Sequence, residues 1–153
     1  MIMKFPNFIR HFAILSLAIG SLFTLSSFAP NRDTTTQDND DLELLKMLVE
    51  EMQCALPMDL GAGMTLSEVY ITSSNFVMEY TCSDNMMDLL SLNDIDDAKA
   101  EFMNGVLSDE ASTMLLNICA DANLGARFIF TDRLCNRRLK IEYSVAELNR
   151  YVR

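Results

Sequence analysis

Few side chains in this sequence could carry out chemistry. The chain contains one histidine, His11, and no tryptophan. His11 lies in a segment that we expect to be removed, so Ser-His and Cys-His nucleophiles and histidine-ligated metals are excluded. Neighbouring acidic residues occur at predicted helix starts or polar helix faces, where the helix dipole and solubility account for them: Asp40/Asp41, Glu50/Glu51, Asp96/Asp97 and Asp109/Glu110.

Two short motifs suggest ligand loops without meeting their requirements. The stretch Asp94-Ile-Asp96-Asp97 suggests calcium, but no glycine stands at the sixth loop position and no glutamate at the twelfth. Gly61-Ala-Gly63 lacks the strand before it and the helix after it that a phosphate loop needs. The sequence therefore predicts no catalytic residue, no metal site and no cofactor.

The four cysteines, Cys54, Cys82, Cys119 and Cys135, form an even set without a C-x-x-C motif. In a small exported chain this favours two disulfides, and four buried free thiols are the alternative. Cys54 lies away from the apolar stripe of its predicted helix and should be half exposed. A predicted strand separates Cys119 from Cys135 by roughly 20 Å, too far for a bridge. We favour the pairs Cys54–Cys119 and Cys82–Cys135.

Residues 1–29 have the pattern of a cleaved signal peptide. Lys4 and Arg10 precede an apolar run from Phe12 to Leu25, and Ser27-Phe28-Ala29 provides a small-residue exit. A membrane-spanning helix, the alternative, needs about 20 apolar residues, and polar residues dilute this run. Cleavage after Ala29 or one to three residues earlier would leave no stable membrane span and place the protein in the periplasm or outside the cell.

The chain of 153 residues is half hydrophobic and has a formal net charge of −10. Composition and length fit one globular domain, and the charge argues against a nucleic-acid partner. We expect a flexible lead-in over residues 30–41 and a single domain over residues 42–153.

Hydrophobic periodicity predicts the order α-ββ-αα-ββ-α. A helix capped by Asp40 runs from Leu42 to Pro57, and a loop with Gly61 and Gly63 follows. Strands are expected at 65–72, 75–82, 126–131 and 138–143, and helices end at Gly105 and at Asn123-Leu-Gly125. Ser108 should cap the fifth element, a helix whose apolar stripe is Ala111, Met114, Leu115, Ile118, Cys119 and Ala122. Ser144 and Glu147 form a capping box for the last helix.

The fold class predicted from this order is α+β, with an antiparallel sheet of two hairpins backed by about four helices. Three methionines, Met52, Met78 and Met114, are expected in the core because of their periodicity.

Charge is distributed unevenly along the chain. Residues 30–126 have a net charge of −16, whereas residues 127–153 have seven basic and three acidic residues. Four cations of the second hairpin, Arg133, Arg137, Arg138 and Lys140, are therefore candidate contacts for an acidic partner segment or an anionic surface. The alternative is that they pair internally with acidic residues on the helices.

A combination of short motifs resembles a known group of proteins. The chain resembles small exported bacterial proteins in the order of its motifs. These are a helix ending in Leu56-Pro57, a hairpin, a cysteine-bearing helix with Leu115-Leu-Asn-Ile-Cys119, and Asn123-Leu-Gly125 before a last hairpin. Such proteins include the disulfide-containing pilotins of type II secretion. The resemblance implies an α+β fold and an exported protein that binds a peptide. Pilotins usually have a lipid-anchor cysteine, which is absent here, and their second cysteine follows the last strand, unlike Cys135.

The predicted function is an exported, non-enzymatic binding protein whose partner is a protein or a peptide. An inhibitor that inserts a loop into an exported hydrolase is the first alternative. A small enzyme that uses carboxylates alone is the second, although such enzymes are usually larger and have aromatic clefts.

Overall fold

The computed structural model describes residues 37–61, 63–83, 87 and 95–153. The helices there are α1 (Gln37–Cys54), α2 (Ile95–Leu107), α3 (Glu110–Asp121) and α4 (Val145–Val152). The strands are β1 (Met58–Gly61), β2 (Met64–Ile71), β3 (Asn75–Cys82), β4 (Gly125–Asp132) and β5 (Arg138–Tyr143). The predicted signal peptide and residues 30–36 of the predicted lead-in lie outside the described residues.

The strands form one five-stranded sheet in the order β1-β2-β3-β4-β5. Both predicted hairpins are present, as the antiparallel pairs β2–β3 and β4–β5. The prediction of an entirely antiparallel sheet is wrong, because β3 and β4 pair in parallel from Asn75↔Gly125 to Cys82↔Asp132. The chain between them passes through α2 and α3, a helical crossover that returns it to the same end of the sheet.

The predicted loop after Pro57 contains a strand. β1 pairs with the first part of β2, and its Leu60 side chain is buried in the core. Asp59 faces solvent, and its carboxylate accepts the N–H of Gly61 at 2.8 Å. Four residues between a proline and a glycine-rich turn are too few to show a clear alternation, which explains why the sequence pattern suggested a loop.

One face of the sheet carries the hydrophobic core. The cluster combines inward residues of all five strands with residues from α1, α2, α3 and α4, such as Leu45, Phe102, Leu115 and Leu148. All four described helices therefore lie on this face of the sheet. The fold thus has two layers, one of strands and one of helices. Tyr80 and Phe130 stack at the centre with ring centroids 4.9 Å apart, a geometry that contributes about 1 kcal/mol beyond burial.

Several predicted helix boundaries and faces are corrected. α1 already includes Gln37, so Asp40 lies inside the helix and does not cap it. α2 continues past Gly105 to Leu107. The N-cap of α3 is Asp109, which accepts the N–H of Ser112, while Ser108 instead donates to the carbonyl of Gly105.

The core positions of α3 also differ from the predicted stripe. Met114 is 48% exposed, and Leu116 and Ala120 are buried in its place. The core lies on a slightly rotated helix face, because α3 packs against both the sheet and the neighbouring helices. Met52 and Met78 are buried as predicted.

Two local predictions are confirmed. Asn123 adopts a left-handed conformation, with φ 56°, just after α3, and Leu124 donates to the carbonyl of Cys119 at 2.9 Å. This arrangement ends the helix in the manner expected of asparagine at such a position. Ser144 and Glu147 form both hydrogen bonds of a capping box at the start of α4.

Candidate partner-binding surface

The loop between β4 and β5 is built around a buried carboxylate. The side chain of Asp132 is 0% exposed. Its Oδ1 atom accepts the backbone N–H groups of Leu134 at 2.8 Å and Cys135 at 3.4 Å. Its Oδ2 atom accepts the Cys135 thiol at 2.9 Å and the Arg137 guanidinium at 3.1 and 3.2 Å. A carboxylate with this many donors can remain ionised although it is buried.

Arg137 therefore pairs internally, but with a carboxylate of the sheet and not with one of a helix. Its guanidinium lies 3.1 Å from Oδ2 of Asp132, and its side chain is 44% exposed. The charge of Arg137 offsets the cost of burying that carboxylate. Of the four predicted partner contacts, Arg137 is thus the one that forms an ion pair within the β4–β5 loop itself.

Arg138 and Lys140 lie on the sheet face opposite the helices, which we name the outer face. Their side chains are 59% and 57% exposed. The strand alternation predicted for β5 is confirmed, since Leu139, Ile141 and Tyr143 face the core. The register places these outer-face residues together: Thr65, Glu68, Tyr70, Val77, Glu79, Thr81, Arg127, Ile129, Thr131, Arg138, Lys140 and Glu142.

The outer-face cations have acidic neighbours on the strands. Glu142 accepts two hydrogen bonds from Arg127, at 3.1 and 3.2 Å, and lies 3.1 Å from Lys140. The hydrogen bonds from Arg127 and then from Lys140 lower the pKa of Glu142. Two cations share this one carboxylate, so the group keeps a net positive charge at neutral pH.

Glu79 forms a second polar group on the same face. It accepts the Tyr70 hydroxyl at 2.7 Å and lies 3.5 Å from Arg138. The hydrogen bond to Glu79 is the main reason why the pKa of Tyr70 is raised. The long distance and the exposure of Arg138 make this ion pair weak.

The alternative that these cations pair with acidic residues on the helices is therefore corrected. Arg137, Arg138 and Lys140 do pair with acidic residues, but these residues lie on the sheet and not on the helices. Arg133 donates to the hydroxyl of Thr65 at 2.7 Å, across the end of the sheet.

An apolar residue that no sequence pattern singled out lies beside these cations. Leu134 lies at the loop tip and is 82% exposed, the most exposed large hydrophobic residue described. Its signal in the sequence is a single leucine between Arg133 and Cys135, in a stretch without strand or helix periodicity. A leucine next to exposed cations provides an apolar contact within a charged surface.

The four cysteines are free thiols in this structure, so neither predicted disulfide is formed in it. Cys54 is exposed, in agreement with its predicted position on the helix, and Cys119 is buried in α3. Cys82 ends β3 directly beside Asp132, and its carbonyl accepts the N–H of Arg133 at 3.1 Å. Burial raises the pKa of Cys82 to about 11 and also raises that of Cys119. Cys135 also contacts Asp132, because its thiol donates to Oδ2.

In the described ranges, no group of three or more His, Cys, Asp or Glu side chains could hold a metal ion. Within the same ranges, no helix has the length and apolarity needed to cross a membrane.

The fold resembles two solved structures. A protein of Pseudomonas aeruginosa assigned as secreted matches with a TM-score of 0.57 and 11% identity, over 76% of this chain and 99% of that chain. EpsS, the pilotin of the Vibrio vulnificus type 2 secretion system, matches with a TM-score of 0.52 and 7% identity, over 73% of this chain and 94% of that chain. The resemblance to pilotins inferred from short motifs is thus confirmed at the level of the fold. No protein-family model and no curated sequence matches the chain significantly.

Proposed function

We propose that this chain is an exported, non-enzymatic accessory protein that binds an acidic partner protein through Arg133, Arg138, Lys140 and Leu134. The observation that carries the proposal is their position: Arg133, Leu134 and Arg138 are exposed where the β4–β5 loop meets the sheet of an acidic protein, and exposed Lys140 follows two residues along β5. Attraction of opposite charges would accelerate association over a Debye length of about 8 Å.

Two further observations support an exported accessory role. Residues 1–29 have the pattern of a signal peptide. The fold is shared with a protein assigned as secreted and with a pilotin of a secretion system. Mass spectrometry of the periplasmic fraction of an expressing bacterium should detect a chain that begins near Pro30. Retention of the intact N-terminus in the cytoplasm would contradict export.

The partner-binding surface can be tested with charge-matched variants. The first variant replaces Arg133, Arg138 and Lys140 by Ser. The control variant replaces Lys46, Arg150 and Arg153 by Ser and so removes the same charge elsewhere on the protein. A partner captured from periplasmic extract by the wild type should be lost with the first variant and kept with the control. Equal capture by both variants would contradict the proposed surface.

An inhibitor of an exported hydrolase is the second candidate, because Leu134 projects from a loop that Asp132 holds in place. A side chain of this kind could enter a partner's cleft. The same capture experiment separates the two functions: a recovered hydrolase that loses activity on adding the wild type but not Leu134→Ser supports inhibition.

We also retain the two disulfides, Cys54–Cys119 and Cys82–Cys135, as a proposal for the exported protein. Support for the second pair comes from Asp132, which Cys82 neighbours across the parallel ladder and Cys135 contacts with its thiol. An external disulfide in the oxidising compartment would take up the hydrogens of the two thiols. Peptide mapping of periplasmic protein without reductant tests both pairs, and a Cys119–Cys135 peptide would contradict them.

A further inference from the structure

β5 is an edge strand of the sheet, and some of its backbone N–H and C=O groups point away from β4 toward the open edge. Among the described strands, β5 pairs only with β4. The N–H of Asp132 donates to the carbonyl of Arg137 at 2.9 Å, which fixes the hydrogen-bonding phase of the antiparallel pair. Because this phase alternates along a ladder, Arg138, Lys140 and Glu142 direct their N–H and C=O groups toward the open edge.

The same three residues place their side chains on the outer face, with charges in the order +, +, −. Charged side chains on an edge strand normally prevent pairing with other chains. They do so selectively, because cross-strand pairs of opposite charge stabilise a sheet and like charges destabilise it. The edge of β5 thus disfavours a basic or neutral strand and accepts an acidic one.

A second copy of this chain fits the edge less well than an acidic segment does. Antiparallel pairing of two β5 strands centred on Lys140 would place each Arg138 opposite the Glu142 of the other copy, but it would also place the two Lys140 side chains opposite each other. The acids nearest to the cations are already shared, since Glu142 also binds Arg127 and Glu79 also binds Tyr70. The remaining positive charge is available to a partner with acidic side chains.

We propose that an extended acidic segment of the partner protein adds to β5 as an antiparallel sixth strand. This inference rests on the proposed function and specifies how its cations act. Backbone hydrogen bonds to residues 138, 140 and 142 would supply the pairing, and side chains of alternate residues would supply the selectivity.

The geometry also defines the pattern of the segment. Acidic residues lie opposite Arg138 and Lys140, and an uncharged polar residue lies opposite Glu142. Between them, apolar residues face the core side, where Leu139 is only partly buried at the edge. Acids two residues apart with an apolar residue between them form the minimal recognised sequence.

The probe for the test is the peptide acetyl-Thr-Val-Glu-Val-Glu-Thr-amide with a fluorescent label, titrated with the full chain and followed by anisotropy. The double variant Arg138→Ser/Lys140→Ser should bind it about tenfold more weakly, since two exposed ion pairs are lost. The control variant Lys46→Ser/Arg153→Ser should bind within about twofold of the wild type. A peptide with Lys in place of Glu should not bind. Failure of the acidic probe to bind at millimolar concentration would overturn the inference.

Backbone methylation separates strand addition from simple charge attraction. In the antiparallel arrangement, the N–H groups of the two Glu residues of the probe face β5 and those of the Val residues point away. N-methylation of both Glu residues should abolish binding, whereas methylation of both Val residues should leave it nearly unchanged. Slower exchange of the Lys140 amide hydrogen in the complex, measured by NMR, should accompany binding.

The two proposals fail in different ways. Equal binding of both methylated probes, with the dependence on Arg138 and Lys140 retained, would refute strand addition and leave the charged surface intact. Loss of that dependence would refute the surface itself. Dimerisation of the chain that the acidic probe does not reverse would show that a second copy occupies the edge, and would overturn the inference.

Discussion

Adjacent arginines on one hairpin should differ strongly in their effect on stability. Arg137 pairs with a carboxylate that is 0% exposed, at 3.1 Å, whereas Arg138 lies 3.5 Å from Glu79 and is 59% exposed. Removing one partner of a fully buried ion pair costs about 3–5 kcal/mol. Arg137 itself is 44% exposed, and Asp132 keeps two backbone donors, so we expect Arg137→Ser to lose about 2 kcal/mol. Arg138→Ser should lose about 0.5 kcal/mol or less.

Urea unfolding of the two single variants at neutral pH measures this difference, provided that the slopes with denaturant agree. A double-mutant cycle with Asp132→Asn then isolates the pair: once the carboxylate is neutral, Arg137→Ser should cost much less than in the wild type. Equal losses for Arg137→Ser and Arg138→Ser, or no coupling between Asp132 and Arg137, would refute the structural role of Arg137. It would then return to the set of partner contacts.

Three further predictions concern other parts of the domain. Among the residues that the structure describes, the buried Ser112 hydroxyl has no hydrogen-bond partner. Ser112→Ala should therefore stabilise the protein by about 0.5–1 kcal/mol in urea unfolding, whereas Thr113→Ala, which loses a 2.9 Å bond to Asp109, should not. A Cβ atom on Gly125 would lie 2.5 Å from the carbonyl oxygen of Tyr143, so Gly125→Ala should lose about 2–3 kcal/mol, and an unchanged midpoint would contradict the close packing. The hydrogen bonds from Lys99 and then from the Ser144 backbone lower the pKa of Glu147 to about 2. Because the folded pKa lies below the unfolded value, this stabilisation is present above about pH 4.5. The difference between wild type and Glu147→Gln, about 1 kcal/mol at pH 7, should therefore vanish as the pH falls from 4.5 to 2, and a constant difference would contradict the linkage.

Local sequence signals predicted local structure well. Alternation along 78–82 and 138–143 and the capping box at Ser144 depend only on neighbouring residues, and each is present in the structure. The boundaries of α1 and α2 were less predictable, because packing against the rest of the core extends helices beyond their weak capping signals.

The parallel pairing of β3 and β4 depends on contacts between distant residues. Its signal was present but indirect: Val77 and Ile129 are buried although they lie on the outer face. The runs Phe76-Val77-Met78 and Phe128-Ile129-Phe130 are therefore apolar on both faces, a pattern typical of central parallel strands rather than of hairpins. The alternation of Glu79 and Thr81 in β3 obscured it.

In the candidate surface, too, the sequence predicted the location, whereas contacts in the folded chain decide the role of each residue. The charge asymmetry of the sequence located the basic hairpin, but charge alone gives Arg137 and Arg138 the same role. Asp132 distinguishes them, because the even residues of β4 face the core and this position buries a carboxylate that needs a cation. Arg137 is then committed to the loop, while Arg138 and Lys140 remain along an edge strand with open backbone groups. The selectivity of this surface would therefore come from two cations at alternate positions of one strand, and spacing as well as charge would decide which acidic segments it accepts.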